Sequence, residues 1–132
     1  MWHPKMVEFD DRLKKLFDEV DGYMEDLYGD SYFLHPVRPK RGETENPEAD
    51  GLFYIGASFT AGYGSEHGRG YIIDISMSTL EKVDKKHCRE IYITAAQKVK
   101  ELLPIHFPER KLKVKKDRDH FKILGDFSLG KL

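Results

Sequence analysis

The chain has 132 residues, with 22 Lys and Arg against 23 Asp and Glu, 39% hydrophobic residues and a single cysteine. This length suits one domain (1–132) with one core, and the hydrophobic content excludes an intrinsically disordered chain. One cysteine excludes a disulfide framework, and no stretch reaches the roughly 20 apolar residues of a membrane helix. We therefore expect a cytoplasmic protein that has no membrane partner.

Charge is distributed unevenly along the chain. Residues 1–50 carry 7 basic and 13 acidic side chains, whereas residues 85–132 carry 13 basic and 6 acidic ones. The two ends could attract each other within one fold or across a homo-oligomer, or they could form an ordinary solvated surface. Asn46 and Gln97 are the only amides, a composition typical of proteins from hot environments.

The first predicted element is a long helix over residues 5–28. Apolar residues recur there at spacings of three and four, which places them on one stripe of a helix. The stripe consists of Phe9, Leu13, Leu16, Phe17, Val20, Met24 and Leu27. The acids Asp21 and Glu25 are expected on the polar side, and Gly29 is the expected stop signal.

Residues 30–50 form an irregular, proline-containing segment, which we call the arm. A loop of this length inside a compact domain is usually functional or mobile. Its basic residues His35, Arg38, Lys40 and Arg41 lie close together, and arginine forks bind phosphate or carboxylate groups in bidentate fashion. We predict that His35, Arg38 and Arg41 bind an anion, although a solvated connector is the plain alternative.

Two strands follow, joined by a glycine-rich loop over residues 60–70. Apolar and polar residues alternate over 53–59 and over 71–77, the pattern of half-buried strands. Two strands joined without a helix most simply form an antiparallel hairpin. The outer face of this hairpin is expected to carry Tyr54, Ser58, Asp74 and Ser76.

The second helix is predicted to begin after Asp84 and to end at Pro104. Cys88 falls on its apolar stripe, which favours a small core residue over a nucleophile. A last hairpin joins strands at 112–115 and 121–124 through a turn at 116–119. This order, α-β-β-α-β-β, predicts an α+β two-layer sandwich with two long helices on one face of a four-stranded antiparallel sheet.

The glycine-rich loop is the strongest functional signal. A hairpin normally closes within two to five residues, and this connection is more than twice as long. Glycines allow close approach of a ligand to the main chain, and their N–H groups can surround an anion. We predict that the loop binds a phosphate or carboxylate ligand, with a functionless flexible tip as the alternative. The predicted ligand-binding residues are Gly62, Gly64, Gly68, Arg69 and Gly70.

If the protein catalyses a reaction, His67 is the expected acid or base, because a histidine titrates near neutral pH. Glu66 or Asp50 would orient it. No cofactor is expected: the glycine spacing matches neither the dinucleotide fingerprint nor the phosphate-binding P-loop. His35, Asp50, Glu66 and His67 could ligate a metal, but no His-x-x-x-His pair supports a site, and we expect none.

The last hairpin suggests a rival function. Lys111, Lys113 and Lys115 alternate with apolar residues, so three amines share one strand face, which Lys122 and His120 could join. Such a face could follow a nucleic-acid backbone, or it could prevent strand-edge aggregation. We expect nucleic-acid binding to be the less favoured function. The other rival is a structural protein that forms a homo-oligomer without catalysis.

Overall fold

The computed structural model describes residues 4–62 and 67–125, with only the backbone described for residues 4–6. Two helices pack on one face of a four-stranded antiparallel sheet, which confirms the predicted α+β architecture. The elements are α1 (Pro4–Tyr28), a 3-10 turn (Pro47–Ala49), β1 (Phe53–Thr60), β2 (Gly70–Met77), α2 (Lys85–His106), β3 (Lys113–Asp117) and β4 (His120–Leu124).

The strands lie in the order β1-β2-β4-β3. β1 and β2 pair along their whole length, from Phe53 opposite Met77 to Thr60 opposite Gly70. Within the described residues, β4 pairs with β2 at Tyr71 and Ile72 only, and most of this edge of β2 has no described strand beside it. The Tyr92 hydroxyl fills part of this gap, because it donates to the Ile73 carbonyl (2.6 Å) and accepts from the Phe121 amide (2.8 Å).

The core lies between the sheet and the apolar stripes of the two helices. Apolar residues at spacings of three and four predict both stripes. Its fully buried large side chains include Leu16, Val20 and Met24 of α1 and Ile91, Val99 and Leu103 of α2. On the other face of the sheet, Tyr54 lies opposite Ser76 and the Ser58 hydroxyl donates to Asp74, which confirms the predicted polar face.

Besides Leu27 of the predicted α1 stripe, which is 50% exposed, three sequence predictions about the fold need correction. First, α2 continues through Pro104 to His106. Proline removes one helical hydrogen bond, but Leu103 and Phe107 on either side of the last turn are buried in the core. The Arg12 guanidinium also donates to the His106 carbonyl (3.0 Å from Nε), which satisfies a carbonyl at the helix end. The buried side chains and the bond from Arg12 therefore stabilise the last turn enough for the helix to continue past Pro104.

Second, Cys88 is exposed rather than buried. It lies in the first turn of α2 and lines an open cleft with Asp74 and Tyr92. Cys88 is in line with the apolar stripe of α2, but the first turn of the helix lies beside the gap next to β2 and not over the core.

Third, the last hairpin turns through only two residues, Arg118 and Asp119, so β3 and β4 are longer at the turn than predicted. Arg118 adopts a left-handed conformation (φ 58°), which a two-residue turn requires. Arginine is not a residue that signals such a turn, so the sequence predicted a longer one.

Candidate functional site

The arm and the glycine-rich loop lie at opposite ends of β1, contrary to the suggestion that they share one edge of the sheet. The eight residues of β1 separate them by about 25 Å at ~3.3 Å per residue. The helix shows the same separation. Arg41 of the arm binds Asp26 near the end of α1, whereas Tyr71, next to the loop, packs against Phe9 near its start.

In the arm, Arg38 holds the polypeptide backbone together. Its guanidinium donates to four carbonyl oxygens at 2.7–3.2 Å, so it stabilises the path of the chain into β1. The four acceptors belong to Glu48, Asp50, Gly51 and Phe53. These bonds occupy Nε and one terminal nitrogen, so this structural role accounts for Arg38 without a ligand.

Asp50 has a similar role. Its carboxylate accepts from the backbone amides of Gly42 (3.2 Å) and Thr44 (3.1 Å) and from the Thr44 hydroxyl (2.8 Å). The residue is buried and lies in the arm, away from His67 of the loop. The structure therefore does not bring together the predicted Asp50–His67 pair.

His35 and Arg41 lie on the outer part of the arm. The Val37 amide donates to Nδ1 of His35 (3.2 Å), and the His35 amide donates to the Ser78 carbonyl (2.8 Å). Arg41 is half-exposed and forms an ion pair with Asp26 (2.6 Å). Of the arm residues predicted to bind a ligand, Arg41 lines a cavity between the arm and α1.

That cavity, the arm cleft, has a volume of about 500 Å³ and lies between the end of α1 and the arm. Its lining residues are Glu25, Gly29, Asp30, Tyr32, Phe33, Leu34, Lys40, Arg41, Gly51 and Leu52. It therefore combines two carboxylates, aromatic and aliphatic walls, and two cationic side chains.

Beside the arm cleft, α1 carries two buried acids that the sequence pattern assigned to the polar side. Asp21 is 2% exposed and Glu25 is 7% exposed. Both residues flank the apolar stripe, and the arm covers this flank, which a helical pattern alone does not predict. The Phe53 amide donates to Glu25 Oε1 (2.9 Å), whereas Asp21 Oδ2 has no hydrogen-bond partner among the described residues.

Burial disfavours the charged form of both acids. It raises the pKa of Asp21 to about 8, and the neighbouring carboxylates of Glu25, Asp50 and Asp18 add to the shift while Arg38 opposes it. Burial also raises the pKa of Glu25, although the backbone amides of Phe53 and Leu52 lower it in part.

At the other end of β1, the glycine-rich loop is closed by tight backbone contacts. A Cβ on Gly62, where φ is +87°, would lie 2.1 Å from the carbonyl carbon of Gly68. A Cβ on Gly70 would lie 2.5 Å from the Ile123 carbonyl oxygen. Gly68 has φ +80° with open space around it. These three glycines therefore have structural roles in the neck of the loop, while Gly64 and Glu66 lie outside the described residues.

A buried ion pair holds this neck on the last hairpin. Lys122 Nζ lies 2.9 Å from Asp117 Oδ2, with side chains 3% and 2% exposed. Lys122 also donates to the Gly68 carbonyl (2.8 Å), and the His67 amide donates to Asp117 (3.0 Å). Lys122 faces the same side as Lys115, as predicted, but the loop covers it.

The resulting surface, which we call the loop–hairpin surface, contains four exposed cationic side chains among the described residues: Arg69, Lys113, Lys115 and Arg118. His67 is also exposed, and its Nε2 lies 3.1 Å from the Lys116 carbonyl oxygen. Asp119 is an exposed acid at the turn, and Asp117 is neutralised by Lys122. The two basic segments that the sequence treated as separate candidates thus form one surface.

Across residues 4–62 and 67–125, no three His, Cys, Asp or Glu side chains converge in a way that could hold a metal ion. In the same ranges, neither helix combines the length and apolar character that crossing a membrane requires.

Two of the three comparisons with known proteins found a match, and each match covers nearly the whole chain. No solved structure matches the sequence. A protein from Borreliella burgdorferi, described as "Uncharacterized protein", is 39% identical over 123 residues, which cover 93% of this chain and 96% of that protein. The sequence model of a family described as "Uncharacterised protein" matches residues 4–125, and the chain belongs to that family.

Proposed function

We propose that the protein binds a phosphate-type anion at the loop–hairpin surface. The observation that carries this proposal is the buried Asp117–Lys122 pair, which fastens the loop to the hairpin. Because the pair fixes the neck of the loop, Arg69 is held beside Lys113 and Lys115 of β3 and Arg118 of the turn before any ligand binds. Such pre-organisation lowers the entropic cost of binding.

The charge of this surface supports the same ligand class. Among the described residues this surface carries four exposed cations and one exposed acid, and the buried pair contributes no net charge. A multivalent anion would gain several charge-assisted contacts at once, whereas a monovalent carboxylate would gain one or two. We therefore expect affinity to rise with the number of phosphate groups.

Isothermal titration calorimetry with inorganic phosphate, pyrophosphate and tripolyphosphate at low salt tests the proposal. We expect tripolyphosphate to bind most tightly and the double variant Arg69→Ala/Lys115→Ala to bind it at least ~10-fold more weakly. The matched control, Lys85→Ala/Lys86→Ala, removes two exposed cations from the start of α2. Equal losses in both double variants, or no binding by the wild type, would refute a site at this surface.

Nucleic-acid binding is a second candidate, favoured by the spacing of Lys113 and Lys115. Both are exposed on the edge strand, and two residues of a strand span about 6.6 Å, close to twice the ~3.4 Å axial spacing of phosphates in one DNA strand. A 20-base-pair duplex probe in a fluorescence anisotropy titration distinguishes the two candidates. Oligonucleotide binding much tighter than tripolyphosphate binding, with a steep dependence on salt, would favour the nucleic acid.

Self-association also has a specific observation in its favour. Phe33 and Leu80 are 82% and 75% exposed, and their two segments lie close together because the Thr79 hydroxyl donates to the Phe33 carbonyl (2.6 Å). Exposed apolar side chains on neighbouring segments favour an interaction surface. Sedimentation velocity should then show a homo-oligomer that Phe33→Asp/Leu80→Asp dissociates, and a wild-type monomer at high concentration would exclude this role.

A further inference from the structure

We propose that the arm cleft is a second binding site, which takes a small zwitterion of the amino-acid type. In this site the ligand's ammonium group contacts Glu25 and its carboxylate contacts Lys40. The site is separate from the loop–hairpin surface, at the other end of β1.

The inner end of the cleft is a fixed carboxylate. Glu25 is 93% buried, and the Phe53 amide holds its Oε1 at 2.9 Å. The group therefore cannot turn away from the cavity without breaking a buried hydrogen bond. A carboxylate in such a position favours a ligand with several N–H donors, which an ammonium group provides.

Two glycines allow the backbone to lie close against this carboxylate. A Cβ on Gly51 would lie 2.4 Å from Glu25 Oε1, and a Cβ on Gly29 would lie 2.8 Å from Oε2. Gly51 also has φ +72°, which disfavours any other residue. The backbone therefore approaches the carboxylate from two sides, and side chains are excluded from the space beside it.

Part of the wall is aromatic or aliphatic, formed by Tyr32, Phe33, Leu34 and Leu52. Ligand pockets typically enclose about 300–1,000 Å³ with apolar walls and a few polar groups. The arm cleft, at about 500 Å³, falls within this range. Such walls fit the hydrocarbon part of an amino acid better than they fit a sugar or an inorganic ion.

The outer part of the cleft carries the opposite charge. Lys40 and Arg41 both line it, and within the described part of the chain no acidic side chain pairs with the Lys40 ammonium. Arg41 is held by Asp26, so Lys40 is the cation available to a ligand carboxylate. Asp30 also lines the cleft and adds to its preference for an ammonium group. A carboxylate inside and a cation outside together match a zwitterion.

The test is a thermal-shift screen of the wild-type protein against the twenty free amino acids, followed by calorimetry on the best binder. We expect at least one to bind, and its N-acetyl and carboxamide derivatives to bind at least ~10-fold more weakly because each lacks one of the two charges. No shift with any free amino acid, or equal binding of a free amino acid and its N-acetyl derivative, would overturn the proposal.

Two variants locate the binding in the cleft. Glu25→Gln keeps an acceptor for the Phe53 amide and removes the charge, and Lys40→Met removes an exposed charge without disturbing the core. Each should weaken binding at least ~10-fold, whereas the matched controls Glu45→Gln and Lys82→Met should leave it unchanged. If Glu25→Gln does not fold, Lys40→Met decides. Unchanged binding in Lys40→Met would place the ligand outside the arm cleft. Arg69→Ala should leave amino-acid binding unchanged, because Arg69 lies on the loop–hairpin surface at the other end of β1.

Discussion

The buried acid Asp21 gives a sharp prediction about stability and pH. Its pKa is raised from 3.8 to about 8 in the folded protein, because burial and the carboxylates of Glu25, Asp50 and Asp18 disfavour its charge. Below about pH 4 the group is protonated in both the folded and the unfolded chain, and it costs no stability. Between about pH 4 and pH 8 only the unfolded chain is ionised, so the free energy of unfolding falls as the pH rises.

The magnitude follows from linkage. In this window one pKa unit corresponds to about 1.4 kcal/mol, so Asp21 lowers the free energy of unfolding by about 4 kcal/mol at pH 7. Asp21→Asn removes the titration. The difference in stability between this variant and the wild type should therefore grow by about 2–3 kcal/mol from about pH 5 to about pH 7. The change in this difference is diagnostic, because any constant effect of the amide cancels.

Urea unfolding followed by circular dichroism at the two pH values measures this change. The matched control is Asp11→Asn, which removes an exposed carboxylate from the same helix and should show little change with pH. A stability difference for Asp21→Asn that stays constant from pH 5 to pH 7 would refute the reasoning. It would mean that Asp21 is ionised in the folded protein and paired with a cation.

Three further predictions concern the arm and the neck of the loop. Arg38→Met should lower the free energy of unfolding by about 2–4 kcal/mol in urea titrations, because four carbonyl oxygens lose a charged donor; a loss below about 0.5 kcal/mol would contradict this role. Lys122→Met should lower the free energy of unfolding by about 3–5 kcal/mol, because it leaves Asp117 buried without its cation. Adding Asp117→Leu should restore part of that loss, and a double variant less stable than the single one would argue against this account. Gly62→Ala should destabilise the protein more than Gly68→Ala, since both have positive φ but only the Gly62 Cβ meets backbone, at 2.1 Å; equal thermal shifts would show that the neck is not tightly packed.

Much of the architecture followed from local patterns. The stripe from Phe9 to Met24 and the alternation in β1 and β2 predicted which faces are buried, because helical and strand periods place every third or fourth, or every second, residue on one side. Pro104 and Cys88 were misjudged since their environments depend on distant elements. Arg12 binds the end of α2, and the gap beside β2 exposes its start.

The candidate sites were less predictable. The sequence indicated that the basic arm and the glycine-rich loop carry function. In the structure, however, two of the predicted site residues have a structural role instead. Arg38 and Asp50 bind backbone groups, and only the folded chain shows which polar groups need such partners. Glu25 was placed on a solvated helix face, because nothing in a helical pattern shows that the arm covers that flank.

The sequence by itself determined the class of fold, the faces of its helices and strands, and the basic character of its last third. These properties depend on residues near one another in the chain, where the geometry of the backbone is known in advance. The tertiary structure alone decided that the glycine-rich loop lies on the basic hairpin rather than beside the arm. That choice depends on one buried ion pair, Asp117 with Lys122, and on the length of β1, which keeps the two ends of the strand about 25 Å apart.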